Sequence, residues 1–150
     1  MNKDVTYLLS HIYSSNESVL TNILQYQYQL FFLDNKEMQK KMREILRLEF
    51  KHLEELGFLI KRLGGLPIYA DIQYGIVEFW NSNAVYYDTD VSTILEVNIE
   101  GKKKEISNCK MLMYTVKSDE VTKVLQNIVD EDYQILRWFM KLKSNYSCLE

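Results

Sequence analysis

Two pairs of polar residues with a spacing of three could bind a metal in this chain. The first is Glu49 and His52, in the stretch M-R-E-I-L-R-L-E-F-K-H-L-E-E-L-G at 42–57, and the second is Glu131 and Gln134. Residues three apart share a helix face, and both pairs fall among apolar residues at helical spacing, so they are predicted to face a core. Burying such groups alone costs roughly several kcal/mol each. Their partner must therefore be a metal ion or other polar side chains.

A lysine in a third apolar stripe argues against the metal. Lys102 lies at the centre of the stripe Leu95, Ile99, Lys102, Ile106 and Cys109. An ammonium that points into the same core would repel a cation and would pair with the carboxylates instead. The sequence thus predicts that Lys102 contacts the acidic residues.

These residues lie on four predicted long helices. The first runs from about Asp4 to about Phe32, and the second runs from an N-cap at Asp34 to about Leu63, where two glycines follow. The third begins near Asp90 and ends at about Val116, and the fourth begins after Ser118. One Pro and five Gly in 150 residues favour such long helices.

The segment 66–89 follows no helical period and is rich in aromatic residues. It is too long for a hairpin between neighbouring helices. We predict a crossover along the bundle, so that helices two and three run in the same direction. Its aromatic surface, together with helix faces, is the predicted interface of a homodimer.

Length, charge and cysteine spacing exclude several classes of function. At 150 residues the chain is predicted to form one domain over 1–150, and a net charge of −3 gives no support for nucleic-acid binding. No apolar run is long enough for a membrane span, and M-N-K-D-V-T lacks the layout of a signal peptide. Cys109 and Cys148 have neither zinc nor disulfide-framework spacing, so we expect a cytoplasmic protein.

A four-helix bundle with Glu-x-x-His on its second helix resembles the ferritin-like di-metal carboxylate proteins. The matching stretches are L-T-N-I-L-Q-Y-Q-Y-Q at 20–29, L-E-F-K-H-L-E-E-L-G at 48–57, W-N-S-N-A-V-Y-Y at 80–87 and I-V-D-E-D-Y-Q-I at 128–135. The chain looks like the small bacterial branch near rubrerythrin and manganese catalase. The resemblance implies an all-α, antiparallel four-helix bundle with a long crossover and a site for two Fe or Mn ions.

The resemblance also implies that the ligand set is incomplete. The ligand positions are filled, in chain order, by Val19, Glu49, His52, Lys102, Glu131 and Gln134. Glu49, His52 and Glu131 keep ligand side chains, whereas the other three positions have lost a glutamate or a histidine. Glu17 and Glu100 each lie two residues from a lost position, which turns them by about 200° and favours exposure to solvent.

Two functions remain open on this basis. The favoured hypothesis is a metal-free, non-catalytic bundle, in which Glu49, Lys102, Glu131 and a protonated His52 form a buried cluster of zero net charge. Such a protein would act in interaction or assembly.

The alternative is an oxidoreductase or peroxide-handling protein. In it, Glu49, His52 and Glu131 would hold one Fe or Mn ion, since two carboxylates and an imidazole suit these metals, and Tyr26 would lie near the site.

Overall fold

The computed structural model describes residues 3–147. Its helices are α1 (Lys3–Ser14), α2 (Val19–Leu30), α3 (Lys36–Arg62), α4 (Val91–Val116) and α5 (Asp119–Ser147). Between α3 and α4 lie strands β1 (Ala70–Gln73) and β2 (Ile76–Phe79), followed by a short 3₁₀ turn at Ser82–Ala84.

The helices form the predicted antiparallel bundle, with α1 and α2 together taking the place of its first helix. Apolar side chains from all five helices meet in one core. The segment between α3 and α4 is the predicted long crossover, which confirms the fold class. No helix within residues 3–147 combines the length and the apolar character needed to cross a membrane.

The prediction of one continuous helix over about 4–32 is wrong, because the chain breaks between α1 and α2. Ser18 has extended backbone angles and caps α2 by accepting a hydrogen bond from the Thr21 amide. The hydroxyls of Ser18 and Thr21 both donate to the Ser15 carbonyl, at 2.6 and 2.9 Å. These short side chains satisfy the backbone locally and so compete with a continuous helix.

The other helix ends agree with the sequence to within about a residue. The N-cap of α3 is Asn35 rather than Asp34, because the Asn35 side chain accepts the amide hydrogen bonds of Glu37 and Met38. Asp90 caps α4 as predicted, through the amide of Thr93.

The crossover contains a β-hairpin that the sequence did not reveal. Strands β1 and β2 pair antiparallel, and the turn residues Tyr74 and Gly75 have φ angles of 52° and 77°. Two successive positive φ angles match the twist of a tight hairpin turn, and glycine adopts such an angle without strain. Ala70 of β1 is fully buried, whereas all four residues of β2 are exposed.

A buried amide network fixes the crossover to the bundle. Asn98 of α4 exchanges hydrogen bonds with Gln29 of α2, and its side-chain oxygen also accepts from Gln25. Gln25 then accepts from the backbone amide of Tyr86 at 2.9 Å. The network therefore joins α2 to α4 through Asn98, and it joins α2 to the crossover through Gln25 and Tyr86.

Candidate functional site

The polar cluster at the centre of the bundle is arranged around Lys102. Its side chain is fully buried, and its Nζ lies 2.6 Å from Glu49 Oε1, 3.1 Å from Glu105 Oε2 and 3.2 Å from Asp132 Oδ1. Lys102 therefore donates to three carboxyl groups, one from α3, one from its own helix and one from α5.

Helix α3 supplies Glu49 and His52 to this cluster. Its buried residues Ile45, Glu49, His52 and Leu56 recur at steps of four, three and four, which places them on one inward face. Both polar side chains have an exposure of 0%. The sequence prediction that this pair points into the core is correct.

Helix α2 covers one side of the cluster. Tyr26 is buried, and the centroid of its ring lies 5.8 Å from Lys102 Nζ, at the outer range of a cation–π contact. Asn22 donates a hydrogen bond to Glu105 Oε2. Glu105 Oε2 thus accepts hydrogen bonds from both Asn22 and Lys102. Tyr26 lies near the site, as the sequence predicted.

The acidic residue that α5 contributes to Lys102 is Asp132, not the expected Glu131. Asp132 is fully buried, but the Glu131 side chain is 21% exposed and pairs with Lys51 at 3.0 Å on the bundle surface. Glu131 still approaches the site from outside, with Oε1 3.7 Å from His52 Nε2. The predicted contact between Lys102 and Glu131 is therefore replaced by a contact with Asp132.

The remaining predicted positions lie away from Lys102 or offer no ligand. Gln134 faces outward and accepts a hydrogen bond from Arg137 at 2.9 Å. Glu17 and Glu100 are exposed, as expected, and pair with Lys104 and Lys103 respectively. Val19 is the first residue of α2 and is fully buried, and its apolar side chain offers no ligand.

Several polar atoms of the cluster are buried without a hydrogen-bond partner among residues 3–147. They are Glu49 Oε2, Glu105 Oε1, Asp132 Oδ2 and both ring nitrogens of His52. One ligand atom from each of Glu49, His52 and Asp132 lies within 4.8 Å of the others. Within residues 3–147, these three residues form a group of side chains that could hold a metal ion.

The charges in the cluster are coupled. Burial by itself lowers the pKa of Lys102, but the attraction of Asp132, Glu105 and Glu49 outweighs it, so the pKa lies well above the usual value. Burial raises the pKa of the Asp132 carboxyl well above its usual range, and repulsion from Glu105 adds to this effect. Lys102 is therefore an ammonium at neutral pH, and Asp132 holds a proton more readily than an ordinary aspartate.

The expectation of a protonated His52 is not supported by its surroundings. Burial, reinforced by the positive charge of Lys102, lowers the pKa of His52 to about 4. Its nitrogens lie 3.7 Å or more from the nearest carboxylate oxygens, which is too far for a strong hydrogen bond. His52 is therefore neutral at pH 7, and Lys102 is the cation of the cluster.

The fit of a metal ion to this site depends on Lys102. Neutral imidazole and carboxylate oxygens are suitable donors for Fe or Mn, but the ammonium already contacts Glu49 and Asp132, two of the three candidate ligands. A divalent ion bound by the same oxygens would lie close to a positive charge. The donor atoms are therefore of the types that Fe or Mn accepts, but the positive charge of Lys102 opposes the binding of a divalent ion.

Asp132 and Glu105 were missed in the sequence, although a signal for each is present. The buried residues of α5 include Leu125, Ile128, Asp132, Ile135 and Phe139, a helical stripe as regular as the one that contains Glu131. Glu105 lies three residues after Lys102 and so shares its helix face. An acidic residue three or four positions from a lysine that is predicted to be buried is a candidate partner for that lysine, and this rule would have identified Glu105.

The fold is similar to that of two kinds of metal-binding protein. A structure of KatB, a manganese catalase from Anabaena PCC7120, matches 97% of this chain and 74% of its own with a TM-score of 0.89 and 20% identity. A structure of wild-type KatB matches with a TM-score of 0.86 and the same identity. A structure of Desulfovibrio desulfuricans bacterioferritin, described with a diiron site, matches with a TM-score of 0.81 and 21% identity. The match covers 98% of this chain and 82% of the bacterioferritin chain.

These matches show that the chain has the ferritin-like fold. At this level of identity they show the fold alone. No protein-family model matches the sequence, and neither does any curated protein.

Proposed function

We propose that this chain is a metal-free, non-catalytic ferritin-like protein in which Lys102 takes the place of the metal ions. Its role would then be interaction or assembly. The fold supplies the scaffold, and the cluster around Lys102 stabilises its centre.

The observation that carries the proposal is the position of Lys102 Nζ, 2.6 Å from Glu49 Oε1 and 3.2 Å from Asp132 Oδ1. One ammonium gives these carboxyl groups the positive partner that a metal would otherwise give them. Lysine is fully buried only rarely unless it is paired, and Val19 supplies no ligand at the first helix. Lys102 thus supplies a positive charge to the carboxyl groups of the cluster without a metal ion.

The test is metal uptake by the wild-type protein. Untagged protein is incubated with Fe(II) or Mn(II), separated from free ions and analysed for its metal content. We expect far less than one ion per chain, because the ammonium repels the ion and occupies the carboxylate oxygens. One ion per chain, lost in Asp132→Asn, would contradict the proposal.

A specific observation favours a second candidate, an oxidoreductase with one Fe or Mn ion. Glu49 Oε2, Asp132 Oδ2 and the His52 nitrogens have no hydrogen-bond partner within residues 3–147, as expected for atoms that bind something further. In this candidate, Glu49, His52 and Asp132 would hold the ion, and Glu131 would adjoin it from the surface. A bound Fe or Mn would supply redox chemistry to the site.

The metal analysis separates the two candidates. If wild-type protein binds one ion, the similarity of fold to a manganese catalase makes peroxide the first substrate to try. Consumption of peroxide that requires the metal and is lost in His52→Ala would support the enzyme. Consumption that is unchanged in that variant would not come from this site.

We also propose that the chain forms a homodimer through helix faces and the crossover 66–89. Large apolar side chains on the crossover are exposed, among them Leu66 at 77%, Ile76 at 70% and Phe79 at 68%. Light scattering should then give twice the chain mass for the wild type and the chain mass for Ile76→Glu combined with Phe79→Glu. A wild-type protein with the mass of one chain would contradict this proposal.

A further inference from the structure

We propose that the outer edge of β2 pairs with β2 of a second copy of the chain, so that the two hairpins join into one four-stranded antiparallel sheet. This inference rests on the homodimer proposed above and names the contact that forms it. Metal binding does not bear on it, because the cluster around Lys102 includes no residue of β1 or β2.

The outer edge of β1 is covered by α1. The backbone amide of Ile72 donates to the Ser10 hydroxyl at 3.1 Å, and the backbone carbonyl of Ala70 accepts from the Ser14 hydroxyl at 3.0 Å. These two backbone groups therefore point away from β2 and already have partners. A further strand could join the hairpin on this side only by displacing α1.

The outer edge of β2 has no comparable partner. The register sets Val77 opposite Ile72 and Phe79 opposite Ala70. In an antiparallel ladder, opposite residues either bond to each other or both turn their backbone groups outward. Because Ile72 and Ala70 face outward, the amide and carbonyl groups of Val77 and Phe79 face outward as well. No other backbone group in residues 3–147 pairs with them, and all four residues of β2 are exposed.

A hydrogen bond next to the hairpin gives the same alternation. The Trp80 amide donates to the Tyr69 carbonyl at 2.9 Å, so these two residues form a bonded pair. Bonded and non-bonded pairs alternate along an antiparallel ladder. The neighbouring pair of Ala70 and Phe79 is therefore non-bonded, which agrees with the contacts of β1 to α1.

The composition of β2 favours pairing of this edge. Ile76, Val77 and Phe79 are apolar and between 45% and 70% exposed. Edge strands that remain in solvent are usually protected by lysine, proline or a bulge, but the only charged residue of β2 is Glu78. An apolar edge with free backbone donors and acceptors is a template for a further strand.

The register of the new pair follows from the backbone and the charges. Outward-facing residues must lie opposite each other, so the two-fold axis passes through a residue of β2. An axis at Glu78 would place two Glu78 carboxylates directly opposite, each beside an Asp71 of its own hairpin, and like charges in this position repel. An axis at Phe79 would run beyond the end of β2. An axis at Val77 avoids both problems, because it sets Glu78 opposite Ile76 of the second copy.

The axis at Val77 also makes the edge self-complementary. On one face of the four-stranded sheet, Ile72 and Val77 of one copy would continue into Val77 and Ile72 of the other. Cross-strand contacts between β-branched side chains stabilise a sheet. A two-fold axis uses each of these contacts twice, which is the reason to assign the edge to a second copy rather than to a strand of a different protein.

The paired strands would form the centre of a larger interface. A specific interface buries roughly 1,200 Å² or more, which exceeds what a four-residue edge provides. Tyr74, in the turn beside the edge, is 99% exposed, and Phe79 lies at the other end of β2. Two-fold symmetry brings both of these aromatic residues to the interface from each copy.

The first test is a register-specific disulfide cross-link. Opposite residues of a non-bonded antiparallel pair have Cα atoms about 4.5 Å apart, which is within the range for a disulfide. Ile76→Cys combined with Glu78→Cys should therefore give a reducible dimer in most of the protein under mild oxidation. Each single variant should give far less, and the wild type controls for the natural cysteines. Both substitutions are at exposed positions of β2, so the fold should be retained.

The second test removes the edge hydrogen bonds. Proline has no backbone amide hydrogen, and the Val77 amide faces away from β1, so Val77→Pro should keep the hairpin and weaken the dimer. We expect the dissociation constant of the dimer to rise about tenfold or more, measured by analytical ultracentrifugation over a dilution series. Val77→Ile keeps the amide and the apolar side chain and should leave the constant nearly unchanged. Circular dichroism checks that each variant is folded.

The inference requires both results. A double-cysteine variant without a reducible dimer, or a Val77→Pro protein that dimerises as tightly as the wild type, overturns the strand pairing, and the homodimer would then use other surfaces. Efficient cross-linking of Glu78→Cys alone overturns the register at Val77. A wild type that remains a monomer overturns this inference together with the proposed homodimer, and would leave the edge to a strand of a different protein.

Discussion

Lys102→Glu is expected to give a protein that binds Fe(II) or Mn(II), whereas the wild type does not. The change removes the ammonium that contacts Glu49 and Asp132 and adds a fourth carboxylate beside Glu105. With His52 neutral, the site would then offer one imidazole and several carboxylates. These are the ligand types that Fe and Mn accept.

The expected effect is large because the variant has no other source of positive charge in the cluster. Without a metal, buried carboxylates would repel each other and their pKa values would rise. A divalent ion relieves this repulsion, and its binding free energy adds to stability by about 2.7 kcal/mol when the free ion is at a hundred times its dissociation constant. We therefore expect at least one ion per chain and a thermal midpoint that rises on addition of metal.

Elemental analysis of the untagged variant and thermal unfolding with and without a chelator give the two measurements. Lys104→Glu is the matched control, because it makes the same change in net charge two residues away, at an exposed position. It should bind no more metal than the wild type. A folded Lys102→Glu protein that stays free of metal would show that the site lacks a workable ligand geometry, whatever the charge.

Lys102→Met is expected to lower the free energy of unfolding by about 3–5 kcal/mol. Removing one member of a buried ion cluster leaves the opposite charges without compensation, and the cost is of that order. Methionine has a similar length, so the loss of packing is small compared with the loss of charge. The carboxyl groups of Glu49 and Asp132 would each lose their donor.

Neutralising the partners should recover much of this loss. Lys102→Met combined with Glu49→Gln and Asp132→Asn removes the ammonium and two of its three carboxyl partners, keeps the shape of each side chain and leaves Glu105 with its donor Asn22. Urea unfolding of the single and triple variants measures the difference, and Lys104→Met, at the exposed pair with Glu17, should have a much smaller effect. A single variant as stable as the wild type would mean that Lys102 contributes no net stabilisation to the cluster.

The error at α5 shows why periodicity alone was insufficient. Two stripes on this helix share Val121, Ile128 and Ile135, and both advance in steps of three and four. One continues through Glu131 and the other through Asp132. At about 3.6 residues per turn the two positions lie on either side of the same inward direction. The choice depends on how α5 is rotated against α3 and α4, which is a property of the packed bundle.

The break between α1 and α2 has a different cause. The apolar pattern continues across it, so periodicity favours one helix. The Ser15 and Ser18 hydroxyls, however, accept from the amides of Glu17 and Thr21, and the Ser18 and Thr21 hydroxyls donate to the Ser15 carbonyl. Five polar residues in sequence, S-S-N-E-S at 14–18, were the available signal. The hairpin at 70–79 was missed because its strands are short and β2 is exposed on both faces.

The sequence by itself determined the helical fold, the crossover, the inward position of Glu49 and His52, and the burial of Lys102. Each of these follows from local patterns, since apolar spacing defines a helix face and a polar residue within it must be buried with a partner. Only the tertiary structure decided which partners those are. It brought Glu105 and Asp132 to Lys102, left Glu131 at the surface with Lys51, and made His52 neutral. The physical reason is that contact distances and burial depend on the relative rotation of packed helices, which the spacing of residues within one helix does not specify.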